Sequence, residues 1–464
     1  MPVPTWVQDA IFYQIFPDRY HNGDPANDSA TFQPWGAEPN IRDYQGGDLR
    51  GIINKFDYLL DLGINALYLT PIFQSAAYHR YHAIDYFKID PTLGTLADFK
   101  ALLDTAHRNN VRVVLDGVFN HTGRGFFAFN DILENGNHSR YKDWYHVKKF
   151  PLDAFSEGKA ENYLAWWNMK DLPKLNTANV EVRKYLMDVT RYWLEQGMDG
   201  WRLDVPGEID DDPFWAEFAR VVRETNPDAY TVGEIWEVNR RWVGDDHFHG
   251  LMHYPVRTAL LGALAEGKGV AEFAKTVEGF FSVYPRENAY AMYVTLGSHD
   301  TPRILTELGG DTAKLKLAFT FLFAYPGAPA IYYGDELGMT GGKDPQNRRA
   351  FPWEENTWNK ELRAHVQKLA AVRKAQPALR RGDFNRLLLD AENNIYAFTR
   401  CIGEDKILVV MNLGVSAREV NLSVKDIGWT DGRVLTELVG GGRYGVHDGA
   451  LTLHLPGWGG AILG

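Results

Sequence analysis

The sequence predicts an α/β architecture: a (β/α)8, or TIM, barrel interrupted by one insertion and followed by an all-β C-terminal domain. Three observations carry this. Eight short, β-rich apolar runs alternate with helix-like segments. One long polar and aromatic stretch, between residues 120 and 180, breaks the spacing. After about residue 385 the alternation stops, and short strands split by Gly, Asp and Asn take over. A doubly wound sheet is the competitor; the count of eight and the length of 464 residues favour the barrel.

The strand candidates lie at 10–16, 66–70, 111–119, 200–204, 230–235, 251–254, 291–296 and 328–333, with helices expected at 96–109, 180–196 and 213–224. The stretch 120–180 holds Trp144, Trp166 and Trp167 and has no clear helix. A structureless loop of that length is uncommon, so a small inserted subdomain is expected there. The C-terminal strands are expected at 395–399, 407–411, 419–422, 434–437 and 451–455. The resulting division is a barrel from residues 1–120 and 177–384, an insertion at 121–176 and a C-terminal domain at 385–464.

Composition narrows the function. Hydrophobic residues make up 45% and aromatics 13%, enough for a sizeable core. Most of the 14 Trp and 23 Tyr serve packing; others are available to stack on sugar rings. A net charge of -11 repels phosphate backbones and anionic lipid, so neither nucleic acid nor membrane is expected as a partner. Cys401 is the sole cysteine, which excludes an intrachain disulfide and fits a reducing compartment. Residues 1–10 lack the basic and apolar regions of a signal peptide, and no run reaches the roughly 20 apolar residues of a membrane span. A cytoplasmic location is expected.

Three acids stand at the ends of strand-like runs: Asp204 in Gly200-Trp201-Arg202-Leu203-Asp204, Glu234 in Gly233-Glu234-Ile235-Trp236, and Asp300 in Ser298-His299-Asp300-Thr301-Pro302-Arg303. A carboxylate so placed is costly unless something uses it. Strand side chains alternate, so Arg202 and Asp204 face the same way, into the barrel mouth where such barrels do their chemistry. The guanidinium is expected to keep Asp204 ionised and oriented, as a nucleophile requires. The apolar neighbours of Glu234 are expected to raise its pKa, as a general acid requires. Each has a plain alternative: a stabilising Arg–Asp pair, a barrel-end Glu paired with Arg, and, for Asp300 before Thr-Pro-Arg, a helix N-cap. On the third strand, Asp116, Val118 and Asn120 share a face, and His121 closes the strand beside the same mouth.

Together the motifs at 116–121, 200–204, 234 and 298–300 resemble the four signature regions of the α-amylase family, glycoside hydrolase family 13. Leu172-Pro173-Lys174-Leu175-Asn176 is similar to an extra signature of its neopullulanase, cyclomaltodextrinase and maltogenic amylase members. The resemblance spans the chain, so it implies that the insertion is domain B and the C-terminal domain a β-sandwich, domain C. It also implies roles by position. Asp204 becomes the nucleophile, Glu234 the acid/base and Asp300 the stabiliser of an oxocarbenium-like sugar, with retention and a carboxylate separation of roughly 5–5.5 Å. Arg202, His121 and His299 bind the ring at the cleavage subsite, and Tyr81 lies beneath it. Asp344 and Arg348 serve the next glycone subsite, and Trp236 stacks on the aglycone side.

The turn Asn22-Gly23-Asp24-Pro25-Ala26-Asn27-Asp28, with Gly46 and Asp48 downstream, gathers oxygen ligands of the kind Ca2+ takes, although such sequences are usually ordinary Asx turns. The resemblance implies a structural calcium there. Two departures stand out. His82 sits where that subfamily often has Asp, and Val205-Pro206-Gly207-Glu208 replaces the Lys-His of typical α-amylases, so a second calcium at the domain B junction is not expected. The sequence begins at the first barrel strand, without the N-terminal domain of many such members, which leaves monomer and homodimer both open.

The implied activity is hydrolysis of α-1,4-glucosidic bonds, with some α-1,6 cleavage, in maltooligosaccharides, cyclodextrins or starch-like glucans. A transglycosylase or isomerase of the same family, such as a glucanotransferase or trehalose synthase, is the nearest alternative. Further off stand a metal-dependent barrel hydrolase using His79, His82, His121, His247 or His249, and a non-catalytic sugar-binding relative.

Overall fold

The computed structural model of the chain describes residues 2–29 and 31–464. Its eight barrel strands are Phe12–Ile15, Ala66–Leu69, Arg112–Gly117, Gly200–Leu203, Tyr230–Gly233, Gly250–Leu251, Tyr293–Thr295 and Ala328–Tyr332. Each falls on one of the eight apolar runs, shortened or shifted by a few residues where the ends leave the ladder. Neighbours in sequence pair in parallel from the first strand to the sixth, and the eighth lies between the first and the seventh. A parallel bridge from Met252 to Tyr293 joins the sixth and seventh strands and completes the ring. Phe12, Tyr68, Val114, Val232, Met252 and Tyr293 fill the interior, so the barrel is a packed core and not a pore.

The helices Leu96–Arg108, Val180–Glu195 and Asp212–Thr225 cover the outside. Each starts on a side-chain cap: Thr95 in a reciprocal box with Asp98, Asn179, and Asp211. Their inner stripes bury Phe99 and Leu102, Val189 and Trp193, and Trp215 and Phe218. Covered on both faces, the strands read as continuous apolar runs. A hairpin absent from the sequence reading, Phe73–Ser75 with Ala83–Ile89, follows the second strand and carries Tyr81 in its connection.

The stretch 120–180 departs from expectation in one respect: it does contain a helix, Phe127–Asn135, which buries Ala128, Phe129 and Ile132. Nine residues give too short an apolar stripe to stand out among so many aromatics. The rest is held by isolated bridges, among them Tyr145–Leu175, Val147–Tyr163 and Ala165–Pro173.

The C-terminal region is all-β. A four-stranded antiparallel sheet runs in the order Asp383–Asp390, Ile395–Ile402, Asp405–Asn412, Gly460–Leu463. Two further pairs are Arg418–Ser423 with Ala450–Leu455 and Val434–Thr436 with Arg443–Gly445. Ile395, Ala397, Leu408 and Val410 pack on Val420, Leu422, Leu451 and Leu453, a sandwich core. The opposite face, with Tyr396, Phe398, Val409 and Met411, joins the barrel's hydrophobic cluster. Three strands had escaped the sequence reading: Asp383–Asp390, Arg443–Gly445 and Gly460–Leu463. The first mixes Asp, Asn and Arg with Phe and Leu and has no fully buried residue, and the other two are only three and four residues long.

Candidate active site

The fourth strand sets the centre of the mouth. Arg202 is 1% exposed, and its guanidinium binds three acids. One terminal nitrogen lies 2.8 and 2.9 Å from the two carboxylate oxygens of Asp116 and 3.1 Å from Asp204 Oδ1. The other lies 2.8 Å from Glu234 Oε2. Leu203 pairs with Gly233, so Asp204 and Glu234 follow at one level, while Asp116 pairs with Arg202 itself, two positions lower on the third strand. Glu234 also accepts from the backbone N–H of Val205 (2.9 Å) and from Trp236 Nε1 (3.1 Å).

The seventh strand's end supplies His299 and Asp300. Gln14 Nε2 donates to His299 Nδ1 at 2.8 Å, which leaves the ring proton on Nε2. That nitrogen lies 2.6 Å from the Tyr81 hydroxyl and 3.2 Å from Asp300 Oδ2. Tyr81 in turn donates to Asp116 Oδ2 at 2.8 Å, and its ring stacks on His299 with planes 5° apart. A continuous hydrogen-bonded chain thus runs from the first strand through His299 and Tyr81 to the Arg202 cluster. Arg348 donates to the His299 carbonyl (2.9 Å) and lies 3.6 Å from Asp300 and 3.2 Å from Asp344, which also accepts from Tyr78. The helix-cap alternative for Asp300 fails: the next helix is Ile304–Glu307, with Arg303 at its cap position.

The electrostatics differ from the sequence expectation at Asp204. Burial pushes its carboxyl well above the usual range; Arg202 opposes, while Glu234, Asp116 and Asp300 add to the push. Glu234 is raised as expected, by burial first, again against Arg202. Burial likewise raises Asp116 and Asp300. Asp116, Asp204 and Glu234, buried around one guanidinium, cannot all stay charged, so their titration belongs to no single residue; Asp300, its side chain 30% exposed, sits instead beside Arg348. Burial, reinforced by Arg348, holds His299 neutral.

The remaining predicted residues also reach the mouth. His121 is buried and held neutral with a pKa of about 3, by burial first; its Nδ1 meets Asn120 at 3.2 Å. Trp236 is 49% exposed, with one face stacked on Tyr254 at 3.7 Å. Gln14 and the backbone of Val205 were missed. Val205 sits at φ 36°, ψ 50°, a left-handed conformation that a β-branched residue adopts only under constraint, and this aims its N–H at Glu234. Lys174, in the fifth motif, braces that turn by donating to Asn120 Oδ1 and to the Glu208 carbonyl, both at 2.5 Å.

His79 and His82 lie side by side, ring centroids 4.8 Å apart, but the five histidines do not gather on one point as a catalytic metal site would require. His247 meets Asp212 at 3.2 Å, and His249 accepts the Thr231 N–H at 3.0 Å. Among the described residues no group of three or more His, Cys, Asp or Glu could hold a metal. The oxygen-rich turn is different. Asp48 is committed elsewhere: its oxygens accept from Gly51, Gly23, Asp24 and Asn27, and it caps the helix Leu49–Asn54. Asp24 makes the ordinary Asx turn with Ala26. But Asn22 Oδ1, Asn27 Oδ1 and Asp28 Oδ1 are buried without partners among the described residues. Gly46 (φ +83°) closes over them, and a Cβ there would lie 2.7 Å from Asn22 Nδ2 and 2.8 Å from Asp28 Oδ1. Oxygens left bare in this way fit a hard cation.

Comparison with known proteins identifies the family. Residues 14–382 match the alpha amylase catalytic domain, and residues 386–462 match the maltogenic amylase C-terminal domain. A cyclomaltodextrinase of Geobacillus thermopakistaniensis (strain MAS1) is 43% identical over 459 residues, covering 98% of this chain and 77% of the relative. Neopullulanase 2 of Thermoactinomyces vulgaris is 43% identical over 434 residues, 92% of this chain and 74% of the relative. Among solved structures, the cyclic α-maltosyl-(1→6)-maltose hydrolase of Arthrobacter globiformis, in complex with cyclic α-maltosyl-(1→6)-maltose, superposes with a TM-score of 0.91 at 39% identity, covering 100% of both chains. The chain therefore belongs to the α-amylase family of retaining glycoside hydrolases, family 13.

Proposed function

We propose that the protein hydrolyses α-1,4-glucosidic bonds, with some α-1,6 cleavage, in maltooligosaccharides, cyclodextrins or related starch-like glucans. Asp204 attacks the anomeric carbon and forms a covalent glycosyl–enzyme intermediate. Glu234 protonates the leaving oxygen and then takes a proton from the incoming water. Asp300, with His299 and Arg348 behind it, binds ring hydroxyls and stabilises the oxocarbenium-like sugar. Tyr81 and His121 complete the cleavage subsite, Asp344 and Arg348 the next glycone subsite, and Trp236 the aglycone side. The observation that carries this reading is the position of Asp204 and Glu234 on the two terminal nitrogens of one guanidinium. That is a short separation, of the kind retaining enzymes hold at about 5–5.5 Å. The names of the relatives favour starch-derived α-glucans, and the Arthrobacter enzyme's name adds a (1→6) link.

Incubation with starch, pullulan, β-cyclodextrin and trehalose, followed by chromatography of the products and NMR of the anomer first released, tests the proposal. Retained α-configuration is expected. No cleavage of any α-glucan would overturn it, and longer products in place of shorter ones would move it to transglycosylation.

The same reading includes a structural calcium ion held by Asn22, Asn27, Asp28 and the Gly46 segment, with Asp24 and Asp48 bracing the turn. It takes no part in the reaction. Chelation is expected to lower the melting temperature while turnover below that temperature persists. The division into a barrel (1–120, 177–384), domain B (121–176) and domain C (385–464) also belongs to this reading, as do a cytoplasmic location and a monomeric or homodimeric state. The location is supported by a single, half-buried cysteine. Among the described residues no helix is long and apolar enough to cross a membrane.

A further inference from the structure

Three aromatic rings form a ladder from the mouth of the barrel to solvent. At the inner end His121, 1% exposed, stacks on Trp166 with centroids 5.5 Å apart and planes within 20°. Trp166 stacks on Trp167 at 4.4 Å and 12°. Trp167, at the outer end, is 73% exposed, and the same loop leaves Leu164 and Met169 each 37% exposed.

This loop is not loose. Trp167 (φ 49°) and Asn168 (φ 60°) are both left-handed, a conformation that non-glycine residues keep only where their surroundings impose it. Backbone bonds impose it here. Trp166 N–H donates to Leu172 O (3.0 Å), Asn168 to Ala165 O (3.0 Å), Met169 to Trp166 O (2.9 Å), and Ala160 to Asn168 O (2.8 Å). Bridges Lys159–Met169 and Ala165–Pro173 flank the turn. The indole is therefore presented to water in a fixed pose, so that little ordering is left for a ligand to impose.

We propose that the outer face of Trp167 is a stacking platform for a glucose residue of the α-glucan chain outside the cleavage subsite. The proposal rests on the hydrolytic reading above. Continuity selects this occupant: the ladder's inner ring is His121, which that reading places against the sugar being cleaved. The flat apolar indole matches the C–H face of a pyranose, and a net charge of -11 turns away polyanions. No motif had marked the position; Trp167 had been read only as one of several aromatics in the insertion.

Steady-state kinetics of the wild type, Trp167→Ala and Trp167→Phe on maltotriose and maltoheptaose provide the first test. Trp167→Ala is expected to lose about tenfold more kcat/KM on the longer sugar, through KM, the equivalent of about 1.4 kcal/mol, and Trp167→Phe to recover most of it. Equal losses on both sugars, or no loss, would overturn the platform. A second arm is independent of turnover: calorimetric titration of maltoheptaose into Asp204→Ala and into Asp204→Ala/Trp167→Ala. Weaker binding by the double variant supports the platform, and equal Kd values refute it even if the wild type cleaves neither sugar, a result that would instead sink the hydrolytic reading. Sedimentation of wild type and Trp167→Ala closes the remaining route: a dimer that the substitution dissociates would make the patch a contact between copies and refute the platform.

Discussion

Two buried acids bracket the fourth barrel strand, and they are treated in opposite ways. Asp199, just before Gly200, is 3% exposed. It accepts from Arg112 at 2.7 Å, from His107 at 2.7 Å and from the Val113 N–H at 2.8 Å. Asp204, just after Leu203, is 8% exposed and shares one guanidinium nitrogen with Asp116. The first acid is saturated with donors and faces the closed end of the barrel. The second is under-provided and faces the open end. In such barrels the N-terminal face stabilises and the C-terminal face reacts, and here one strand of four residues displays both. Donor count, more than burial, distinguishes the two.

The sharpest way to break the comparison is Asp204→Ala. Turnover is expected to fall by roughly 10⁴-fold or more, while sugar binding persists and the melting temperature holds or rises, because a poorly compensated carboxyl leaves a buried site. Initial rates on maltooligosaccharides and thermal melts check both halves. Turnover within about tenfold of wild type would remove Asp204 from the role of nucleophile.

The mirror experiment is Asp199→Ala. It leaves Arg112 and His107 without their shared acceptor and the Val113 N–H without its side-chain partner. A loss of about 2–3 kcal/mol in denaturant stability is expected, at the low end for a buried ion pair because Arg112 is partly exposed, with kcat little changed. A drop in kcat with intact stability would mean that the two ends of the strand are not functionally separate.

The same contrast explains what the sequence could disclose. The eight strands were legible because parallel strands covered on both faces are written as unbroken apolar runs, and the three acids were legible because each interrupts the end of such a run. What escaped depends on partners far along the chain. Gln14 orients His299 from 285 residues away, and nothing near residue 14 marks it as part of a site. The helix cap read at Asp300 was locally sound, but the neighbouring His299 and the distant Arg348 claim that side chain instead. Val205 reads as an ordinary apolar residue; only its backbone angle, set by the turn that Lys174 braces, makes its N–H a ligand of Glu234. The balance of burial against Arg202 at Asp204 is likewise a property of four acids converging, which no single motif contains.

The smallest expected effect concerns how the two ends respond to pH. At the closed end, the hydrogen bond that His107 donates to Asp199 raises the imidazole pKa above its ordinary 6.5, with burial and Arg112 opposing and Asp104 assisting. A folded-state pKa above the unfolded one stabilises fully below about pH 6.5 and ceases to do so as pH climbs through the raised value. Since the His107 side chain is 40% exposed, solvent screening limits this to under about 1 kcal/mol. Denaturant midpoints at about pH 6 and about pH 8.5 should therefore differ more in wild type than in His107→Gln. The activity profile, set by the carboxyl cluster at the open end, should keep its shape in that variant. If His107→Gln instead reshaped the activity profile and left the stability difference intact, proton exchange would couple the two ends of the strand, and saturation by donors would no longer explain why only one of its acids reacts.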